Sequence, residues 1–132
     1  MITKQRTPAL KKILLVDDDK SFIYLNRAML KYNDVTCEID ECRNGKEALA
    51  YIADTNQLPD VILLDIDMPV MNGLEFLEKF EKNDNRYEQT KVFVLSSSTD
   101  QDKVKSRRYN FVKGYFQKPL TDGHIKQILS LF

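Results

Sequence analysis

Three short runs of apolar residues constrain the fold of this chain more than any other feature. They occupy residues 13–16, 61–64 and 92–95, and each has four apolar residues in a row. Such runs are too short for a helix, and their β-branched content is typical of strands that are buried on both faces of a sheet. Polar residues follow each run at once. The sequence therefore predicts that polar side chains collect where these strands end.

Two further segments complete the predicted strands. Residues 35–42 alternate between apolar and polar positions, which indicates a strand at the edge of a sheet with one face in water. Residues 114–117 form the shortest candidate strand, and they are followed by Lys118 and Pro119. The sequence thus predicts five strands.

Apolar residues recur at helical spacing between the predicted strands. The stripe of the first predicted helix consists of Phe22, Leu25, Met29 and Tyr32. Four more helices are predicted within residues 48–53, 74–80, 100–111 and 121–132. A strict alternation of strands and helices predicts an α/β fold, a doubly wound parallel sheet with helices on both faces.

The composition argues against several classes of protein. The 132 residues suit a single domain. Lysine plus arginine number 20 and aspartate plus glutamate number 20, so the net charge gives no indication of binding to nucleic acid or to a membrane. The only cysteines, Cys37 and Cys42, predict a reduced chain, and no apolar run has membrane-spanning length. We therefore expect a cytoplasmic protein.

The polar residues that follow the strands suggest a specific chemistry. Parallel strands bring Asp17, Asp18, Asp65, Ser96 and Lys118 to one edge of the sheet, where open α/β folds bind ligands. Clustered carboxylates repel one another unless a cation neutralises them, and an all-oxygen site favours Mg²⁺. A metal, an ammonium, a hydroxyl and a carboxylate are the groups needed to handle a phosphoryl group. Asp65 is the candidate nucleophile.

Four motifs in this order resemble those of bacterial two-component response regulator receiver domains. They are Val16-Asp17-Asp18, Leu64-Asp65-Ile66-Asp67-Met68-Pro69-Val70-Met71-Asn72-Gly73, Leu95-Ser96-Ser97 and Gly114-Tyr115-Phe116-Gln117-Lys118-Pro119. The resemblance implies a flavodoxin-like sheet with strand order 2-1-3-4-5 and five helices. It also implies a receiver domain over residues 11–132, after a flexible tail of residues 1–10.

The resemblance implies a role for each site residue. Asp65 would accept the phosphoryl group, with Lys118 and Ser96 contacting its oxygens. Mg²⁺ would be bound by the carboxylates of Asp18 and Asp65, by the main-chain carbonyl of Asp67, and by Asp17 through a water molecule. Ser96 and Tyr115 would form the switch that responds to phosphorylation. Asp67 and Ser98 would tune the rate of dephosphorylation.

The resemblance also implies the partners. The phosphoryl donor would be the phosphohistidine of a sensor histidine kinase or a phosphotransfer protein, and the output would be binding to a downstream protein target. We expect a stand-alone, chemotaxis-regulator-like phosphoacceptor that is a monomer or weak dimer. It would catalyse only its own phosphorylation and dephosphorylation, and would bind neither nucleic acid nor membrane.

Two other function classes remain as alternatives. Asp65-Ile66-Asp67 is similar to the DxD motif of haloacid dehalogenase-type phosphatases, although Pro69 replaces the expected Thr or Val. The second alternative is an interaction module on the same fold that is not phosphorylated. An EF-hand is excluded, because Pro69 and Val70 stand where a ligand and a glycine belong. We expect His124 on an exposed helix face, without a catalytic role.

Overall fold

Five parallel strands form a single sheet in the order β2-β1-β3-β4-β5. The computed structural model describes residues 10–82, 86–97 and 109–132. The strands are β1 (Lys12–Val16), β2 (Glu38–Cys42), β3 (Val61–Asp65), β4 (Lys91–Ser96) and β5 (Val112–Gln117). The doubly wound flavodoxin-like sheet and its strand order are confirmed, and the alternating segment forms the edge strand β2 as predicted.

Four α-helices lie in the described part of the chain. They are α1 (Lys20–Tyr32), α2 (Gly45–Asp54), α3 (Gly73–Glu81) and α4 (Asp122–Leu129), and a short 3-10 helix spans Arg86–Gln89. Most of the predicted helix at residues 100–111 lies outside the described residues, and residues 109–111 are not helical. The last helix, predicted as the fifth, is therefore α4 here.

The core consists of two hydrophobic clusters, one on each face of the sheet. The first contains Leu14, Leu64 and Val94 from the central strands, packed against Phe76 and Phe80 of α3. On the opposite face, Ile13, Leu63 and Phe93 pack against residues of α1 and α4. Consecutive strand residues point to opposite faces, so an uninterrupted apolar run is what a sheet covered on both sides requires.

The structure differs from the sequence-based predictions in the buried face of α1 and at the end of the N-terminal tail. The buried residues of α1 are Ile23, Asn26 and Leu30, whereas Leu25 and Tyr32 of the predicted stripe are 45% and 75% exposed. Adjacent helical residues are about 100° apart, so two neighbouring faces can show the same spacing, and only packing decides between them. Leu10, the last residue of the predicted tail, is buried in the second cluster.

Candidate functional site

The carboxyl ends of the central strands and of β5 bring the predicted site residues together. Asp17 follows β1, Asp65 ends β3, Ser96 ends β4 and Lys118 follows β5. Asp17, Asp65 and Ser96 are each only 3% exposed. Because each strand is parallel to its neighbour, residues far apart in sequence meet at one edge of the sheet.

An ammonium lies between two buried carboxylates at this edge. Nζ of Lys118 is 3.0 Å from Oδ2 of Asp17 and 3.3 Å from Oδ1 of Asp65. Ion pairs in this environment are screened little by solvent. One ammonium therefore opposes two carboxylates, and negative charge remains in excess.

The excess negative charge fits a divalent cation. Carboxylate oxygens of Asp17, Asp18 and Asp65 all lie within 4.8 Å of one another. Oδ2 of Asp17 is buried, and its described partner is the ammonium of Lys118, which Asp17 shares with Asp65. Buried carboxylates are costly unless positive charge compensates them, and here one ammonium serves two of them. Hard oxygen ligands with one exposed member, Asp18, suit Mg²⁺, which retains water ligands.

The pKa of Asp65 shows how strongly the site disfavours another negative charge. Burial, followed by the charge of Asp17, raises the pKa of Asp65 from 3.8 to about 7, although Lys118 opposes the rise. Burial lowers the pKa of Lys118, but hydrogen bonding to Asp17 and attraction to both carboxylates outweigh it, and the net pKa is raised. Lys118 is therefore a permanent cation at neutral pH.

Backbone contacts hold the acidic loops in place. The N–H of Asp19 donates to Oδ1 of Asp17 at 2.9 Å, and the N–H of Asp67 donates to Oδ1 of Asp65 at 3.3 Å. The loop after Asp65 closes through a hydrogen bond from the N–H of Gly73 to the carbonyl of Ile66. A Cβ at Gly73 would lie 2.5 Å from the carbonyl oxygen of Asp65, so only glycine permits this closure.

Lys118 is positioned by the strand beside it. Its N–H donates to the carbonyl of Ser96 at 3.0 Å, and the peptide bond to Pro119 is cis. This hydrogen bond continues the pairing of β4 with β5 by one residue beyond Ser96 and Gln117. The register of the two strands therefore determines where the lysine side chain begins.

The remaining predicted residues have different environments. The side chain of Asp67 is exposed and does not belong to the carboxylate group, so its predicted role through the main-chain carbonyl stays a prediction. Tyr115 is half-buried and packs against the first cluster. Ser98 lies outside the described residues. The switch roles of Ser96 and Tyr115 also remain predictions.

The sequence analysis did not predict two ring contacts, that of Phe22 with Lys118 and that of His124 with Phe116. The ring centroid of Phe22 lies 4.1 Å from Nζ of Lys118. The sequence pattern placed Phe22 only in the apolar stripe of the first helix, and it gave no signal for a contact with Lys118. His124 is half-buried rather than exposed, because its ring stacks on Phe116 with centroids 4.2 Å apart.

Comparison with known proteins identifies the family. Residues 13–130 match the response regulator receiver domain family over most of the chain. The chain belongs to this family. Receiver domains are the phosphoacceptors of two-component phosphorelay signalling, and this chain is such a domain. Its carboxylate cluster fits the phosphorylation site of the family.

Individual relatives of the receiver domain agree with this assignment. A two-component response regulator from Cytophaga hutchinsonii has a TM-score of 0.84 and 28% sequence identity, and the match covers 92% of this chain and 96% of that one. The response regulator TrrA of Thermotoga maritima, solved in complex with Mg²⁺ and BeF, has a TM-score of 0.75 and 27% identity, with 92% and 99% covered.

One curated relative is much longer than this receiver domain. It is a protein-glutamate methylesterase/protein-glutamine glutaminase of Agrobacterium fabrum, 42% identical over 91 residues. The match covers 69% of this chain but only 24% of the length of that relative. Within the described part of this chain, no helix is both long and apolar enough to span a membrane.

Proposed function

We propose that Asp65 is the residue of this receiver domain that accepts the phosphoryl group. The observation that carries the proposal is the buried carboxylate of Asp65 with the Lys118 ammonium 3.3 Å away and the oxygens of Asp17 and Asp18 within 4.8 Å. Among these three carboxylates, Asp65 alone ends a central strand of the sheet. Asp17 and Asp18 lie just after β1, the strand beside β3 in the sheet.

The chemistry is a transfer between two nucleophiles. A carboxylate oxygen of Asp65 attacks phosphorus, the bond between phosphorus and the imidazole nitrogen of the donor histidine breaks, and the imidazole retains the electron pair. Such a transfer depends mainly on positioning and on stabilising charge at the phosphoryl oxygens. Lys118 supplies a fixed positive charge, and Ser96 supplies a hydroxyl group that approaches the same oxygens.

Mg²⁺ is the cofactor that fits the carboxylate group. We assign Asp17, Asp18 and Asp65 as its ligands through their side chains or bound water, and Asp67 through its main-chain carbonyl. When bound, the ion neutralises negative charge as the acceptor and the phosphoryl group approach each other. The three carboxylates within 4.8 Å of one another, two of which share a single ammonium, support this ligand set.

The output of the domain is a change in a protein-binding surface. We infer that Ser96 and Tyr115 change position together once Asp65 is phosphorylated, and that the domain dephosphorylates slowly by itself. The donor would be a histidine kinase or a phosphotransfer protein in the cytoplasm. A two-state element of this kind biases partner binding through a local change of charge.

The test is phosphorylation with a small-molecule donor. Acetyl phosphate and Mg²⁺ should add one phosphoryl group by intact mass, and Asp65→Asn should abolish the addition. Asp54→Asn, which changes an exposed carboxylate at the end of α2, is the matched control and should be labelled like the wild type. Full labelling of Asp65→Asn would refute the assignment. Sustained turnover of generic phosphate esters would favour the phosphatase alternative instead.

A further inference from the structure

Phe22 lies unusually close to the ammonium of Lys118. The distance from Nζ to the ring centroid is 4.1 Å, whereas two other lysine–ring contacts, Lys12 with Tyr51 and Lys91 with Phe132, are 5.1 Å and 5.0 Å long. A cation within about 6 Å of the centroid is attracted by the negative face of the ring. The attraction is strongest where the cation is shielded from water, and the Lys118 side chain is only 9% exposed.

The ring of Phe22 does not serve the hydrophobic core. Phe22 is half-buried, and neither of the two hydrophobic clusters includes it, even among the partly buried residues that pack against them. The next residue, Ile23, is the one that α1 contributes to the core at this point. The described contact of Phe22 that explains its placement is therefore the one with Lys118.

A ring suits the surroundings of Lys118 better than another polar group would. The ammonium already contacts Oδ2 of Asp17 and Oδ1 of Asp65. A third carboxylate would compete with phosphoryl oxygens for its N–H groups, and water would weaken every charge interaction in the site. The face of an aromatic ring attracts the ammonium and excludes water, but it is a weaker partner than an anionic oxygen.

We propose that Phe22 is a positioning residue, whose ring holds the Lys118 ammonium where it meets the phosphoryl group on its way to Asp65. This inference rests on the proposed function of Asp65 and Lys118. It adds a residue of α1, distant in sequence from both, to the groups that set the rate of phosphorylation. The ring acts only through Lys118 and takes no part in bond making or breaking.

The first test compares variants that keep or remove the ring. With acetyl phosphate and saturating Mg²⁺, Phe22→Leu should be phosphorylated roughly 3- to 30-fold more slowly, the range that a partly desolvated cation–π contact spans. Phe22→Tyr keeps the aromatic face and should restore most of the rate. Tyr24→Leu removes an exposed ring from the same helix and should leave the rate unchanged. If Phe22→Leu does not fold, Phe22→Met replaces it.

The second test does not require phosphorylation. An aromatic ring shifts the NMR signals of protons above its face, so the Hε protons of Lys118 should be shifted upfield in the wild type and in Phe22→Tyr. The shift should disappear in Phe22→Leu. An unchanged Hε signal in Phe22→Leu would overturn the contact.

The two outcomes separate this inference from the proposed function. A wild-type phosphorylation rate in folded Phe22→Leu, or an equal loss in Phe22→Tyr, would overturn the positioning role alone. Failure of the wild type to take up a phosphoryl group would instead contradict the assignment of Asp65.

Discussion

Two lysines with little exposure, one at each end of the strands, show what distinguishes a structural charged side chain from one in a reactive site. Lys12 begins β1 and is 4% exposed, and Lys118 follows the last strand with a side chain that is 9% exposed. Each lies near an aromatic ring. The two lysines differ in the oxygens that they contact.

Neutral oxygens satisfy the ammonium of Lys12. Its Nζ donates to the carbonyl of Gln57 at 2.9 Å and to Oγ1 of Thr55 at 3.2 Å. The nearest carboxylate, Glu38, is 4.0 Å away and 56% exposed, so it remains hydrated. The charge of Lys12 is therefore accommodated without leaving any carboxylate buried.

Lys118, in contrast, is partnered by two buried carboxylates that it cannot neutralise. Burial, followed by the charge of Asp17, raises the pKa of Asp65, although Lys118 opposes the rise. Two buried carboxylates that share one ammonium need a further positive charge. The difference teaches that a reactive site keeps buried negative charge that its own cation does not fully neutralise. The ammonium of a structural lysine, in contrast, is satisfied by hydrogen bonds to neutral oxygens.

The largest expected effect comes from removing the lysine of the carboxylate site. Lys118→Met should slow phosphorylation by acetyl phosphate roughly 100- to 1,000-fold, the usual loss for one group that stabilises charge in a transition state. Intact mass over time measures the rate. If the rate of Lys118→Met fell by less than about threefold, the whole lysine would contribute less than one cation–π contact does. That result would remove the distinction between Lys118 and Lys12.

The stability of the metal-free protein should depend on pH through Asp65. Its pKa of about 7 in the folded state lies above the ordinary value of 3.8. Proton binding at Asp65 therefore stabilises the fold at low pH, and this contribution is lost as the pH rises through the folded-state pKa. In EDTA, the free energy of unfolding of the wild type relative to Asp65→Asn should fall as the pH rises from about 4 to about 7, and it should level off above the folded-state pKa. A constant difference would contradict the raised pKa.

Mg²⁺ should stabilise the fold through the carboxylate site. At a free concentration about 100-fold above its Kd, the ion should raise the free energy of unfolding by about 2.7 kcal/mol. Asp18→Ala should abolish most of this increase, and Asp54→Ala, near Lys12, should preserve it. Denaturant unfolding with Mg²⁺ and with EDTA measures the effect. Equal responses of the two variants would contradict the ligand assignment.

The smallest effect on phosphorylation is expected for a change at Lys12, the other lysine of the comparison. Lys12→Met leaves the acceptors at Thr55 and Gln57 without their donor, which should lower the free energy of unfolding by about 1–3 kcal/mol. The phosphorylation rate should stay within about twofold of the wild type, because the charges of the carboxylate site are unchanged. A twofold change corresponds to less free energy than one ordinary hydrogen bond. A large loss of phosphorylation in folded Lys12→Met would show that the two ends of the sheet are coupled.

Much of the site could be predicted because strand ends are easy to recognise. Asp17, Asp65 and Ser96 directly follow or end apolar runs, and parallel pairing then leaves little freedom in where they meet. Helix faces were harder to predict. The pattern of α1 selected Leu25 and Tyr32, but packing buries Ile23 and Leu30 instead. A contact such as that of Phe22 with Lys118 joins residues 96 positions apart, and no periodicity reports it.

The sequence alone determined the alternation of strands and helices, the edge of the sheet that holds polar groups, and the residue types available for phosphoryl chemistry. These follow from local periodicity and from the positions at which apolar runs end. Tertiary structure decided the rest, namely which two carboxylates lie beside Lys118, how far the pKa of Asp65 rises, and which ring lies against the ammonium. Those properties depend on distance and on exclusion of water, and both exist only after the chain has folded.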